Sequence, residues 1–331
     1  MNIVYSANDA FAWLGGISLL SVLENNKDTD QINVYFIDNE ISDENKNRIQ
    51  KICDDYSRNL KFVSFPEQLL NVDINTYRWS MSTFARLFEA EVLPDVDKVI
   101  HIDCDTIITG SLKEVWDIDM SNAIVAGALD CVGDRYKPNL GLKVEETYFN
   151  AGFLLFNLAR IREKNYVEKF YEYIKEHSDF IRYMDQGVLN SCVPENEKVK
   201  FSLKYNSYSM IHFFKYKQIR RIRRISASGF PEDEYNEAKS NPVVVHYTGC
   251  FMDGVRPWIE GDIHPLRHLF LEYKAISPWK DESLLPDNRS GLKKAITKLV
   301  NIMPKLIVVE GVGLIHGVLI PLNDKRKRSR A

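Results

Sequence analysis

"NIVYSANDAFAWLGGISLLSVLENNKDTDQINVYFIDN", residues Asn2–Asn39, contains the pattern that decides the fold. "NIVYSA" is a short β-rich run. In "FAWLGGISLLSVLENN" the apolar residues recur at helical spacing, and "INVYFIDN" is β-rich again. Downstream, "SDENKNRIQKICDDYS" reads as a helix opened by a Ser/Asp cap, and "LKFVSF" as a third strand. Strands alternating with helices over short connections predict a mostly parallel sheet covered by helices. "STFARLFEAEVLP" reads as a helix ended by Pro94. "DKVIHIDCDTIIT" is a near-continuous β-branched strand, as expected when both faces are buried. Beyond Leu112 "AIVAGALD" and "FNAGFLLFNLARI" read as strands, "VEKFYEYIKEHSDF" as an amphipathic helix and "NPVVVHYTG" as the last strand of the body. The expectation is one α/β domain over residues 1–280, with 281–331 as a basic, partly apolar appendage.

Composition sets limits on partners. Of 331 residues, 45% are hydrophobic and 27% charged, which suits a packed globule rather than a disordered chain. The net charge of −3 hides an asymmetry: from Ser290 onward nine Lys/Arg stand against Glu310 and Asp324, leaving a body of net −10. An acidic body argues against nucleic acid as a ligand, and a basic tail suits an anionic partner. The five scattered cysteines form neither a disulfide framework nor a C-x-x-C pair, so reduced thiols in a cytoplasmic protein are expected. "MNIVYSANDAF" does not read as a signal peptide.

In an open α/β sheet, ligands bind beyond the carboxyl ends of the strands. "VIHIDCD" places Asp103 and Asp105 at such an edge, and the period of two sends both carboxylates to one side and Cys104 to the other. Converging carboxylates suit a divalent cation held by oxygen, Mg²⁺ or Mn²⁺. A pair of solvated strand-end aspartates is the bland alternative. A haloacid-dehalogenase-type phosphatase with Asp103 as nucleophile is another, although three strands precede the motif and no downstream acidic pair is evident. "VVVHYTGCFMDGVRPW", Val243–Trp258, adds His246 as a nitrogen ligand, Gly249 for close phosphate approach and Arg256 for bidentate phosphate binding.

At this point the chain resembles glycosyltransferase family 8, which includes bacterial lipopolysaccharide galactosyl- and glucosyltransferases and is similar to glycogenin. The matching segments run in family order from Asn2 to about Trp279: "NIVYSANDAF", "STFARLF.AEVLP", "VIHIDCDTI", "YFNAGFLLFNL", "DQGVLN" and "HYTG…RPW". The resemblance implies a GT-A fold, a UDP-sugar donor such as UDP-glucose or UDP-galactose, Mn²⁺ or Mg²⁺, and retention of anomeric configuration. It implies that Asp103, Asp105 and His246 hold the metal and that Ala7 and Asn8 line the uridine pocket. Gly249 and Arg256 would contact the phosphates. Arg86, Asn150, Asp185 and Gln186 would surround the donor sugar, with Gln186 nearest the anomeric carbon and Cys104 and Ala151 in the same donor-facing set. Asp130 and Asp185 are candidates for stabilising positive charge on the sugar. A non-catalytic nucleotide-sugar-binding module is the alternative of a different class.

This chain departs from the family in three places. Asn8 stands where aspartate is frequent, so altered base contacts are expected. Phe11 stands where tyrosine is common. Six residues, Cys250 to Val255, separate Gly249 from the Arg-Pro-Trp that replaces Lys-Pro-Trp. The tail turns mostly apolar over Leu306–Leu322 and ends in "KRKRSR". In-plane attachment to an anionic membrane surface is expected, at the inner face of the cell membrane and near a glycan or lipid-linked acceptor. A docking helix is the alternative.

Overall fold

The computed structural model describes residues 1–70, 81–177, 181, 183–225, 229–252 and 256–328. Two compact units are present, one of Met1–Leu129 with Thr147–Ser202, the other of Asp130–Glu146 with Leu203–Ala331.

The first unit opens as the sequence predicts, with β1 (Asn2–Asn8), α1 (Asp9–Asn25), β2 (Asn33–Asn39), α2 (Asp43–Asp55) and β3 (Asn59–Ser64). The Ser42 hydroxyl caps α2 by accepting from the Asn45 N–H at 3.3 Å. Then come β4 (Lys98–Ile102), β5 (Thr106–Ile108), β6 (Val125–Leu129), β7 (Phe149–Asn157) and β8 (Lys198–Lys200). Seven of these strands form one sheet in the order β3-β2-β1-β4-β7-β6-β8. Pairings are parallel except where β7 lies antiparallel between β4 and β6. Every residue of β7 from Phe149 to Phe156 is buried, so both sheet faces are covered there and the strand is apolar but for Asn150. Helix α1 lies close on the sheet: a Cβ at Gly15 would come within 3.1 Å of both Cys104 Sγ and Phe36 Cε1. That close approach is what the Gly15-Gly16 pair permits.

Three sequence readings need correction. The run "DKVIHIDCDTIIT" is not one strand, because β4 ends at Ile102 and Asp103–Asp105 form a turn before β5. Period-two alternation therefore does not govern the two carboxylates, although the Cys104 thiol does turn inward, 3.5 Å from the Ser6 carbonyl oxygen. "STFARLFEAEVLP" is a 3-10 helix over Met81–Phe88 followed by a short α-helix over Glu89–Val92. β7 stops at Asn157, whose side chain accepts from the Arg160 N–H at 3.0 Å and caps the helix Leu158–Glu163. The amphipathic helix expected over "VEKFYEYIKEHSDF" runs Tyr166–Glu176, and Ser178, Asp179 and Phe180 lie outside the described residues.

In the second unit, β9 (Ser207–Tyr208) and β10 (Val244–His246) pair in parallel. The tail is helical over Gly291–Ile302, and then over Lys305–Leu314, Ile315–Leu319 and Ile320–Arg328, broken only by a π turn in the middle segment. Within this unit the last helix lies against the helix Tyr216–Arg223. Glu310 pairs with Arg221 and, at 3.2 Å, with Arg224. Gly313 and Gly317 allow the close approach, since a Cβ at Gly317 would meet the Ile222 carbonyl oxygen at 3.1 Å and clash with the Arg224 side chain. The helix Lys305–Arg326 is also long and apolar enough to cross a membrane, with mean hydropathy 1.8. Ser329–Ala331, the end of the basic cluster, lies outside the described residues.

Burial of two histidines in this unit gives it a pH response. Desolvation, reinforced by Lys239, lowers the pKa of His212 to about 4. Desolvation, with His212 and Arg256, lowers that of His264 to about 3. An unfolded histidine titrates near ~6.5, so the unfolded chain binds the extra protons as pH falls. The stability these neutral rings provide is present above that value and is lost progressively toward pH 4. The melting temperature is therefore expected to fall between pH 7 and pH 4.5, and His212→Gln with His264→Gln to flatten that fall. An unchanged slope in the double variant would contradict this account.

Candidate active site

Arg86 organises the carboxyl edge of the sheet in the first unit. Its guanidinium is only 5% exposed and donates to Asp103 Oδ1 at 2.5 Å, to the Thr83 carbonyl at 3.1 Å and to the Ala151 carbonyl. Its Nε lies 2.9 Å from Asp185 Oδ2. Burial alone would lower the Arg86 pKa, but Asp103 and Asp185 outweigh it and hold the group charged. Burial pushes the Asp185 carboxyl up to about 6, with Arg86 opposing and Asp103 adding to the rise. Arg86 is thus a buried cation between two carboxylates, not a member of a surface ion pair along its own helix.

The D-x-D turn is pinned from below. The Asp103 N–H donates to the Gly152 carbonyl at 2.8 Å. The Thr106 hydroxyl donates to the Asp103 carbonyl at 2.9 Å and lies 2.8 Å from Ser18 Oγ, itself 3.0 Å from the Tyr5 hydroxyl. Asp103 and Asp105 are half-buried, whereas Cys104 is buried beneath them, and burial raises its thiol pKa far above the usual range.

Asp185 and Gln186 sit in the first turn of the helix Met184–Cys192, not at its cap, which is Tyr183. The chain enters this helix through two left-handed residues, Tyr183 at φ 59° and Met184 at φ 50°. Such conformations cost about 1–3 kcal/mol each in non-glycine residues. Buried Asn190 fastens the helix to β7, donating to the Phe149 carbonyl at 2.9 Å and accepting from the Phe149 N–H at 2.8 Å. Gln186 Oε1 accepts from the Ala151 N–H at 3.0 Å, and Asn150 Oδ1 from the Gly152 N–H at 3.0 Å. Arg86, Asp103, Asn150, Ala151, Asp185 and Gln186 are therefore brought together within one unit. At the end of β1, Ala7 is buried, and Asn8 Oδ1 is shielded with no hydrogen-bond partner among the described residues.

Two residues that sequence reasoning missed belong here. His101 and Glu89 are buried and hydrogen-bonded through Nδ1 and a carboxylate oxygen. His101 Nε2 lies 3.7 Å from Asp103 Oδ1. The available signal was a histidine two residues before Asp103 within an otherwise apolar strand.

In the second unit, His246 Nδ1 lies 3.0 Å from Asn206 Oδ1. With Nδ1 donating, the lone pair of the ring is on Nε2. The Arg256 guanidinium lies over Gly249, 3.6–3.8 Å from where a Cβ would stand, and donates to the Tyr247 carbonyl. The insertion therefore leaves Arg256 beside Gly249, while its Asp253, Gly254 and Val255 lie outside the described residues. Asp130 Oδ1 accepts from the adjoining Cys131 N–H at 2.6 Å.

Comparison with known proteins places this geometry. The model for glycosyl transferase family 8 matches residues 2–260. A putative glycosyltransferase of Haemophilus influenzae is 32% identical over 206 residues, 61% of each chain, so this chain spans less than two thirds of that relative. The lipopolysaccharide 1,3-galactosyltransferase of Salmonella typhimurium is 26% identical over 86% of this chain and 80% of its own. Among solved structures, an active-site mutant of LgtC is 26% identical, with TM-score 0.70 over 84% of this chain and 96% of the other. LgtC in complex with donor and acceptor sugar analogs, 24% identical, has TM-score 0.71 over 89% and 100% and shows the fold. Those structures and the mixed, mostly parallel sheet identify the GT-A-type fold expected from the sequence. The chain belongs to glycosyl transferase family 8.

Proposed function

We propose that the protein is a metal-dependent, retaining hexosyltransferase that moves glucose or galactose from UDP to a cell-surface glycan or lipid-linked acceptor. The observation that carries this reading is the buried Arg86 held between Asp103 and Asp185 at the carboxyl edge of the sheet. Two carboxylates and one imidazole, from Asp103, Asp105 and His246, are a donor set that suits Mn²⁺ or Mg²⁺. The ion would offset charge on the departing diphosphate. Arg256 would add a second, fixed positive charge at the phosphates, beside the small Gly249. The unpartnered Asn8 Oδ1 suits the imide N–H of uracil, which would relieve a buried unsatisfied acceptor.

On the sugar, the chemistry falls to groups held in place. A glycosyl centre that loses its diphosphate develops oxocarbenium character. Asp185, ionised above about pH 6, and Asp130 would face that charge. Arg86 keeps Asp185 oriented, and the Ala151 N–H keeps Gln186 oriented near the anomeric carbon. The acceptor hydroxyl proton would pass to a diphosphate oxygen on the same face, which requires no protein nucleophile. Release of UDP from a panel of UDP-sugars, with and without acceptor, tests this reading. Tight UDP binding with no turnover of any sugar would favour the non-catalytic module.

Residues 1–280 are proposed as the catalytic body and 281–331 as its attachment to the cytoplasmic face of a membrane. In the helix Gly291–Ile302 no residue is buried, and Leu292, Ile296, Leu299 and Ile302 are exposed. Their spacing makes one apolar stripe, flanked by Lys293, Lys294 and Lys298. Each basic residue near an anionic surface contributes about 1 kcal/mol, and the stripe would add burial that resists salt. Ile296→Glu with Ile302→Glu is expected to release the protein from phosphatidylserine vesicles in a sedimentation assay while UDP-sugar hydrolysis persists. Undiminished sedimentation would contradict in-plane attachment through this helix.

A further inference from the structure

We propose that Glu89 and His101 are positioning residues for Asp103, fixing the plane in which its carboxylate meets a divalent cation. The inference deepens the reading of Asp103 as a metal ligand and rests on it. Three observations carry it. Glu89 is 0% exposed and His101 1%, so the pair lies inside the unit rather than on a solvated face. Their hydrogen bond runs between His101 Nδ1 and Glu89 Oε1, which settles the ring orientation and aims Nε2 the other way. Nε2 then lies 3.7 Å from Asp103 Oδ1, the same oxygen that Arg86 grips at 2.5 Å. Arg86 holds that oxygen by a hydrogen bond and the imidazole edge stands against it from another side, so both oppose rotation of the carboxylate about the Cβ–Cγ bond. The main chain of Asp103 is fixed as well, through its N–H to Gly152 and its carbonyl to Thr106.

The topology explains why these residues meet. Glu89 opens the short helix that follows the Arg86 segment, and His101 stands two residues before Asp103 on β4. One stretch of chain thus supplies Arg86 to Asp103 directly and Glu89 to it through the imidazole. A buried glutamate that served stability alone would gain more from an apolar replacement, because desolvating its charge is costly. Orientation of a ligand carboxylate is a function that the charge and geometry both serve.

The test is Mn²⁺ affinity at fixed pH without donor, read from the electron paramagnetic resonance signal of the free ion, with melting temperatures recorded in parallel. His101→Leu and Glu89→Ala are expected to weaken Mn²⁺ binding about 10- to 100-fold. Glu89→Gln, which keeps an acceptor for Nδ1–H, is expected to stay close to the parent. Should Glu89→Ala fail to fold, His101→Gln against His101→Leu makes the same comparison, since glutamine keeps a polar amide between Glu89 and Asp103 and leucine does not. Rescue by glutamine supports positioning. Parent-like affinity in His101→Leu overturns this inference and leaves the metal reading standing. Absence of Mn²⁺ binding by the parent protein overturns the metal reading, and this inference with it.

Discussion

Replacing Arg86 by methionine is expected to destabilise the metal-free protein by about 3–5 kcal/mol, the usual cost of leaving a buried charge without its partner. Methionine keeps much of the side-chain volume, so the loss reports charge rather than a cavity. The size of the loss should depend on pH, with a sign fixed by Asp185. Burial already raises the folded-state pKa of that carboxyl to about 6. A raised carboxyl pKa means that the folded state holds the proton more tightly than the unfolded chain. Its contribution is therefore most favourable below the unfolded value and is lost as pH rises through the folded one. Without the Arg86 guanidinium the folded value climbs further, and the loss extends to higher pH. The gap in melting temperature between parent and Arg86→Met should widen from pH 5 to pH 8. An equal gap at both would show that Arg86 and Asp185 are not coupled as their 2.9 Å separation implies.

Asp105→Asn is expected to behave in the opposite way, sparing the fold and removing the activity. Asp105 is half-buried in a turn that Asp103, Thr106, Ser18 and Tyr5 already anchor, so the melting temperature should change little. Turnover of a UDP-sugar should fall by about 10²–10³-fold, the usual effect of losing one charge-stabilising group at a reacting centre. Part of that loss should be recovered at high Mn²⁺, because the amide weakens a ligand without removing it. A variant that turns over normally at low Mn²⁺ would exclude Asp105 from the metal. One that loses activity only by unfolding would make it a structural residue.

What the sequence made legible follows from what periodicity encodes. The alternation from β1 through β3 is visible because each strand is bounded by polar or capping residues, Ser42 among them. Strand direction leaves no such trace. β7 is apolar apart from Asn150 and Asn157, as expected of a doubly covered strand, and nothing in that run distinguishes antiparallel from parallel. The turn at Asp103–Asp105 was hidden by β-branched residues on both sides. Its long-range anchors are the hydrogen bond from the Asp103 N–H to the Gly152 carbonyl and the Ser18–Thr106 hydroxyl contact, which no local pattern reports. Arg86 was singled out, but its partners stand 17 and 99 positions away in sequence. His101 escaped notice as a lone polar residue in an apolar strand, where a satisfied core residue is the ordinary expectation, and Glu89 because its spacing from Arg86 suggests only a surface ion pair. The tail carried both of its readings. Gly313 and Gly317 mark the face that docks on Tyr216–Arg223, and the stripe from Leu292 to Ile302 marks a face that remains exposed.

The central claim is that this chain releases UDP from a UDP-hexose in a reaction that needs a divalent ion. The direct measurement is UDP release by purified full-length protein from UDP-glucose and UDP-galactose, after exhaustive EDTA treatment and again after addition of Mn²⁺. The account predicts no release above background in EDTA and restored release with Mn²⁺, lowered about 10²–10³-fold in Asp105→Asn at the same ion concentration. Release that is equal with and without the metal would contradict it.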